Sequence, residues 1–357
     1  MKLINYLLIA LVFISSCKEE SVETPNLPNN YGEGLYISTS NGVSFHKDGV
    51  TKNKIFKEVN GVTLNNVNKI KFYGTKAYIA AENNLFSANV NTFENKGEVS
   101  GFNNVVDFDF VAMSRIFAVD KGDAKVKVID MDRMEITSDV EVGDSTLPVF
   151  IVSKWYRAIV LNGGAVADSL KDSTIVAVDY RDQLVPLADF SGSLYIGDNP
   201  NSAVNINDLK ILCKGIYDTT DVIAIKTEAT LVTVDPWLMK VDANQVLSGV
   251  YNAQNLISNE DDDIYYFTSE TGVYSMSNTG AGVTPVVSVV SDVLCYQDER
   301  YSVYNPADST TSYYNRDILY INDAENSKNT IYKYNLDSSS FMDTIIVDGA
   351  VNDIIFY

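Results

Sequence analysis

The chain closes on Val351-Asn352-Asp353-Ile354-Ile355-Phe356-Tyr357, and this stretch nearly repeats Val67-Asn68-Lys69-Ile70-Lys71-Phe72-Tyr73. The internal copy runs on through Gly74-Thr75-Lys76-Ala77-Tyr78-Ile79. The last copy has no continuation, but a matching one, Gly32-Glu33-Gly34-Leu35-Tyr36-Ile37, stands near the other end. One structural unit is therefore divided, with its first strand at the C-terminal end and its remainder at the N-terminal end. A linear solenoid gains nothing from such a cut, whereas a closed ring uses it to lock the last repeat onto the first.

The repeat extends along the chain as a strand seed. It reads Leu35-Tyr36-Ile37, Ala77-Tyr78-Ile79, Ile116-Phe117-Ala118, Ala158-Ile159-Val160, Ile211-Leu212-Cys213, Tyr265-Tyr266-Phe267 and Leu319-Tyr320-Ile321. The central residues are separated by 42, 39, 42, 53, 54 and 54 positions. Each seed follows an inner-strand candidate, such as Val105-Val106-Asp107-Phe108, and precedes a hairpin of two further strands, such as 125–130 with 136–142. Short apolar runs broken by Asn, Asp and Gly, with no convincing helical stretch, mark an all-β domain. Four strands per unit and seven seeds predict a seven-bladed β-propeller over residues 32–357, its ring closed by pairing of the C-terminal strand with the N-terminal blade. Two β-sandwiches would also supply many short strands, but neither they nor a solenoid explain the divided unit.

Ahead of that domain, Met1-Lys2 and a mostly apolar run from Leu3 to Ile14 read as a signal peptide over residues 1–16, too short to span a bilayer as a mature helix. Ile14-Ser15-Ser16-Cys17 resembles a bacterial lipobox, which makes Cys17 the expected lipidation site. An ordinary secretory peptide with an incidental cysteine is the alternative. Lys18-Glu19-Glu20 resembles the surface-export tag of Bacteroidota lipoproteins, and the rest of 17–31, with Pro25 and Pro28, reads as a tether. The expected location is the outer membrane, through lipid on Cys17, facing the exterior.

A net charge of −20 disfavours nucleic acid and anionic lipid headgroups as partners. Besides Cys17 only Cys213 and Cys295 remain, both in apolar runs, so buried thiols are expected rather than a disulfide framework. His46 is the single histidine, which rules out a histidine-rich metal site and leaves any Ser-His-Asp or Cys-His arrangement dependent on it. A solvated strand histidine is the favoured reading. The cluster Glu260-Asp261-Asp262-Asp263 lacks calcium-loop spacing and reads as a solvated turn. No cofactor and no catalytic residue is expected, although a carboxylate pair chosen from so many acids could hydrolyse a glycoside.

The strands also carry a family pattern. Ile196-Gly197-Asp198-Asn199-Pro200, Ile159-Val160-Leu161-Asn162, Tyr320-Ile321-Asn322-Asp323, Val128-Ile129-Asp130 and Val176-Ala177-Val178-Asp179 approximate the Val-Gly-x-x-Pro, Tyr-Val-x-Asn and Val-x-Asp segments of a repeat. On these segments the chain resembles the YVTN/YncE-type seven-bladed propellers. With its lipoprotein start it is similar to Bacteroidota surface propellers, a group that includes the cobalamin-capturing lipoprotein. That resemblance implies capture of a polar organic nutrient, such as a corrinoid, and its transfer to a TonB-dependent transporter.

In a propeller, the loops between second and third strands and between fourth and next first strands share one face. Two of the former are long, 162–173 and 214–229. Loop length on one rim of a rigid ring is where sites are built. The candidate ligand residues there are Asn162, Asp168, Tyr217 and Asp218, flanked by Tyr195, Asp198, Asn199, Tyr251 and Asn252. Tyrosine with Asn and Asp suits a polar molecule or a glycan, offering a flat apolar face and hydrogen bonds. Ordinary turn residues would look the same. The opposite face is expected to carry Trp155, Tyr156, Trp237 and the insertion 297–316 with Tyr313 and Tyr314, a candidate partner interface. Packing of the insertion on its own blade is the blander account, and an adhesion or interaction scaffold, binding protein or glycan, is the alternative function.

Overall fold

A computed structural model describes residues 30–142, 147–163, 172–181, 187–218, 225–280, 282–306 and 309–357. Cys17 and its neighbours, and Asp168, lie outside the described residues, and of Asp218 only the backbone is described. Among the described residues no helix is long and apolar enough to cross a membrane.

The described residues form seven four-stranded antiparallel sheets and one two-stranded hairpin. The first strands of blades 1 to 7 are Val351–Phe356, Val67–Tyr73, Val105–Val111, Pro148–Lys154, Pro200–Asn205, Gln254–Ser258 and Leu294–Asn305. Each packs on the next around the ring, and that of blade 7 packs on Val351–Phe356. The ring is closed. Val351–Phe356 pairs with Leu35–Thr39 in the register Leu35↔Phe356, Tyr36↔Ile355 and Ile37↔Ile354. The backbones of Gly34 and Tyr357 complete it, bonding each other at 3.2 and 3.0 Å.

All seven seeds are second strands, and the reason they read as unbroken apolar runs is that both of their faces are covered. Tyr36 enters the core between blades 1 and 2 with Phe45, Ile70 and Phe86. Its neighbours Leu35 and Ile37 enter the core between blades 7 and 1 with Ile318, Val351 and Ile354. Ile355 and Phe356, at the lower end of the closing strand, are only half-buried. Fourth strands such as Asn95–Ser100 are largely exposed, so their sequences are polar. One short helix, Ile55–Asn60, follows blade 1 and buries Ile55 and Phe56. It is a correction to an all-strand expectation, since six residues are too few to show a 3.6-residue period.

The asparagine of the opening repeat has a defined task. The Asn352 side-chain amide donates to the Val67 carbonyl at 2.9 Å, and Asn68 repeats the bond to Val105 at 2.7 Å. In blade 5, Asn201 does the same to Ala253 at 2.9 Å. Each ties an inner strand to the start of the next blade. Asp262 was expected in solvent, but it is buried, because its carboxylate accepts from the Asn207 amide side chain of blade 5 at 3.0 Å.

Candidate functional site

Alternating strand direction gives the ring a loop face, with second-to-third and fourth-to-first connections, and a turn face with the remaining turns. A cavity of about 570 Å³ lies on the axis. Its lining comes from all seven inner strands, from the first halves of those of blades 3, 4 and 7 and from most of the length of those of blades 1, 5 and 6, with Asn68, Asp107, Phe150, Asn201, Asn255 and Asp353 among the residues. A volume of this size is in the range of small-molecule sites.

The charge in the cavity is grouped on one arc. Lys69 pairs with Asp353 at 2.8 Å and Lys71 with Asp107 at 3.0 Å. Burial opposes the Lys69 charge, yet the Asp353 carboxylate holds its ammonium above the usual lysine range. Asp353 also accepts from the Ile70 amide at 3.4 Å, and Asp107 from the Ile151 amide at 3.0 Å, so the same carboxylates staple neighbouring blades. Across the axis, blades 5 and 6 contribute neutral amides and hydroxyls: Asn201, Ser202, Asn255 and Ser258. Val106, Phe150 and Ile257 add apolar wall. The result is a chamber of mixed character, with ion pairs on one arc, amides and hydroxyls across from them, and apolar side chains between.

On the loop face, Tyr217–Asp218 pairs antiparallel with Ile225–Lys226. The neck of this pair needs Gly215, which has φ 78°, and where an added Cβ would meet the Thr227 carbonyl at 2.4 Å. Lys226 donates to the Tyr217 hydroxyl at 3.2 Å and pairs with Glu270 of blade 6 at 3.0 Å. Its ammonium lies 4.4 Å from the Tyr217 ring centre and 6.0 Å from that of Tyr251. Burial opposes ionisation of Glu270, but Tyr217 and Lys226 hold its carboxyl below the ordinary range. Two of the expected ligand residues, Tyr217 and Tyr251, are thus brought together by a lysine and a glutamate that no sequence motif singled out.

The other expected residues divide. Tyr195 ends its strand exposed, and Asn252 stands in the connection 247–253 with φ 54°. Asn162 is fully buried, its amide donating to the Val142 carbonyl and to Thr174. Asn199 is also buried and donates to the Gly215 carbonyl at 2.9 Å, while Asp198 accepts from Ser173 at 3.2 Å. These three brace the loops rather than face a ligand.

On the turn face the aromatic candidates form two separate groups. Trp155 and Tyr156 close on Trp237, with ring centres 5.9 and 5.3 Å away. Residues 297–316 do not fold onto their blade; they prolong the first two strands of blade 7 into an exposed ribbon, paired from Gln297↔Ile318 out to Asn305↔Thr310. Tyr301 stacks on Tyr314 at 5.6 Å, Arg300 covers Tyr313 at 4.7 Å, and Tyr304, Tyr313 and Tyr314 remain exposed. At the root of the ribbon, a crevice of about 460 Å³ contains His46 and Glu299. His46 is half-buried with Nδ1 2.9 Å from the Thr51 hydroxyl, and burial lowers its pKa. Cys213 and Cys295 are buried free thiols, both pushed up to about 12 by burial.

No family model and no curated protein matches the sequence. Solved structures do. A Bacteroides uniformis protein described as a candidate 6-phosphogluconolactonase aligns over 92% of this chain and 100% of its own, at 11% identity and TM-score 0.62. A quinoprotein alcohol dehydrogenase-like protein of Bacteroides thetaiotaomicron aligns over 92% and 79%, at 11% identity and TM-score 0.61. BamB of Moraxella catarrhalis aligns over 90% and 85%, at 11% identity and TM-score 0.50. The likeness is one of fold.

Proposed function

We propose that the chain is a lipid-anchored, outward-facing propeller that binds a small polar organic nutrient in its axial cavity and delivers it to a TonB-dependent transporter, without catalysis. The observation that carries this reading is the axial cavity, about 570 Å³ in volume and lined by amides, hydroxyls and paired charges. On the loop face Lys226 brings Tyr217 and Tyr251 together, the group through which the ligand would enter. A molecule rich in amide or hydroxyl groups, of the corrinoid kind or a glycan, would exchange water for fixed donors and acceptors in the cavity. The lipobox-like Ile14-Ser15-Ser16-Cys17 and the following Lys18-Glu19-Glu20 support the anchor, and the YVTN/YncE-like strand segments support a place beside the Bacteroidota surface propellers.

Thermal-shift and calorimetric titration with corrinoids and oligosaccharides tests the reading. Tyr217→Ala and Tyr251→Ala should weaken the ligand found without lowering the melting temperature, and Ser258→Trp, which fills the cavity, should abolish binding. Full affinity in all three variants would remove the site. A second reading, an interaction scaffold, is favoured by the tyrosine ribbon at 297–316, whose exposed rings are typical of protein interfaces. Cells retaining uptake but losing a crosslinked partner on deletion of the ribbon would favour it.

A further inference from the structure

A smaller cleft, about 220 Å³, lies between the ends of blades 4 and 5 on the turn face. Trp237, Pro236 and Leu209 wall it, and Lys154, Asp208, Asp235 and Asp242 supply charge. The indole of Trp237 is held from behind. Buried Arg157 lies 5.1 Å from its ring centre and donates to the carbonyls of Pro236 and Trp237 at 2.7 and 3.0 Å. Arg157 is itself fixed by Asp179 at 2.7 Å. The turn that presents Trp237 is therefore clamped by a side chain of the neighbouring blade.

Trp155 packs against that indole and yet is 70% exposed, with φ 59°. A bulky side chain adopts this left-handed backbone at a cost, and an exposed indole forgoes the burial it would gain in a core. A protein-docking patch would be broad and poor in charge at its centre. The cleft beside Trp237 instead carries three carboxylates, Asp208, Asp235 and Asp242, and the ammonium of Lys154.

That pairing fits one ligand chemistry. A pyranose ring has an apolar C–H face that rests on an aromatic ring and a girdle of hydroxyls that need acceptors and donors together. Asp208 and Asp242 accept, and Lys154 donates. The volume is below the roughly 300–1,000 Å³ of a drug-sized pocket, which is the scale of one sugar ring. We propose that this cleft binds a single hexopyranose unit, the terminal sugar of a glycan, with Trp237 as the stacking surface and Trp155 packed against that indole. The site is on the turn face and shares no lining residue with the axial cavity, so one propeller could hold a glycan while its cavity is filled.

Trp155 and Trp237 are the chain's only tryptophans, so tryptophan emission reports on the cleft wall and the indole packed against it. Titration of the whole chain with the methyl pyranosides of glucose, galactose, mannose, fucose and N-acetylglucosamine should shift that emission for at least one of them. Asp242→Ala, an exposed substitution that should leave the melting temperature unchanged, is expected to weaken that sugar about tenfold. Trp155→Ala, which removes the indole packed on Trp237, should weaken binding as read by calorimetry, while Tyr217→Ala on the loop face should leave it intact. The proposal is overturned if no sugar moves the emission, or if Asp242→Ala keeps full affinity. Capture of a protein but no sugar through Trp155 would overturn it equally.

Discussion

Deleting residues 351–357 removes the first strand of blade 1 and reopens the ring. Val351 and Ile354 are buried, while Ile355 and Phe356 are half-buried against the cores on either side. At about 1.5–3 kcal/mol for each fully buried side chain, and half that for the other two, the strand is worth about 4–9 kcal/mol. The figure is an upper estimate because unfolded chains already bury part of this surface. A domain typically holds only about 5–15 kcal/mol in total, so the truncated chain should sit at the edge of folding. It would also present the unpaired edge of Leu35–Thr39, a template for association. Milder versions grade the effect. Ile354→Ala should cost about 2–5 kcal/mol. For a domain of this size that lowers the melting temperature by roughly 3–8 °C. Leu35→Cys with Phe356→Cys, opposite each other in the register, should crosslink in the folded chain and raise it. Calorimetry and light scattering on the truncated chain decide the matter: an unchanged melting temperature with monomeric behaviour would mean that the last strand does not close the ring.

Other expectations follow from single groups. Asp353→Ala leaves the Lys69 ammonium without its partner and should cost about 2–4 kcal/mol in urea unfolding, short of the full buried-pair figure because Lys69 is 28% exposed. Lys69→Met with Asp353→Leu should recover most of it, and a double variant no better than the single one would refute an electrostatic cause. Burial opposes ionisation of Glu299, but its bonds to Lys333 and Arg316 hold the carboxyl below the ordinary range. Its contribution is therefore complete above the unfolded value of about 4.3 and fades as pH falls through the lower folded value. Glu299→Gln should lower stability near neutrality and flatten the acid limb of melting temperature against pH; an identical acid limb would count against the assignment. Cys17→Ala should leave the chain unprocessed or unanchored. Replacing Lys18-Glu19-Glu20 with alanines should keep the lipid but lose antibody labelling of intact cells, and unchanged labelling would defeat the export reading.

The fold was legible because each blade's second strand is sandwiched between two others, which forces the same apolar run seven times. Tyr36, Tyr78 and Tyr265 are fully buried members of that set. The site was less legible because the axial cavity takes a few residues from each inner strand, between positions 68 and 355, and no local spacing marks it. One signal was present in the opening repeat. Its two copies differ at the residue after the shared asparagine, Lys69 in one and Asp353 in the other, and these are the opposite charges that meet in the cavity. Asp262 was misread for a related reason: its partner, Asn207, lies 55 residues earlier on another blade. The loop asparagines 162 and 199 could not be told from ligand residues by composition, since bracing a loop and binding a sugar call for the same amide.

Asp353 also joins closure to binding. Its carboxylate belongs to the closing strand, pairs with a lysine of the next blade and lines the cavity. A ligand that occupies the cavity and requires the closed ring must therefore oppose local opening of that strand. The added protection follows RT ln(1 + [L]/Kd), about 2.7 kcal/mol at a hundredfold excess over Kd. Hydrogen exchange at the amides of 351–356 would read it as slower opening, on the order of a hundredfold. A sugar in the cleft between blades 4 and 5 contacts neither the closing strand nor Lys69, so it should leave local opening at 351–356 unchanged while slowing only global unfolding. If the cavity ligand left exchange at 351–356 as fast as in the free chain, it would be bound outside the axial cavity, and the link between ring closure and binding would fail.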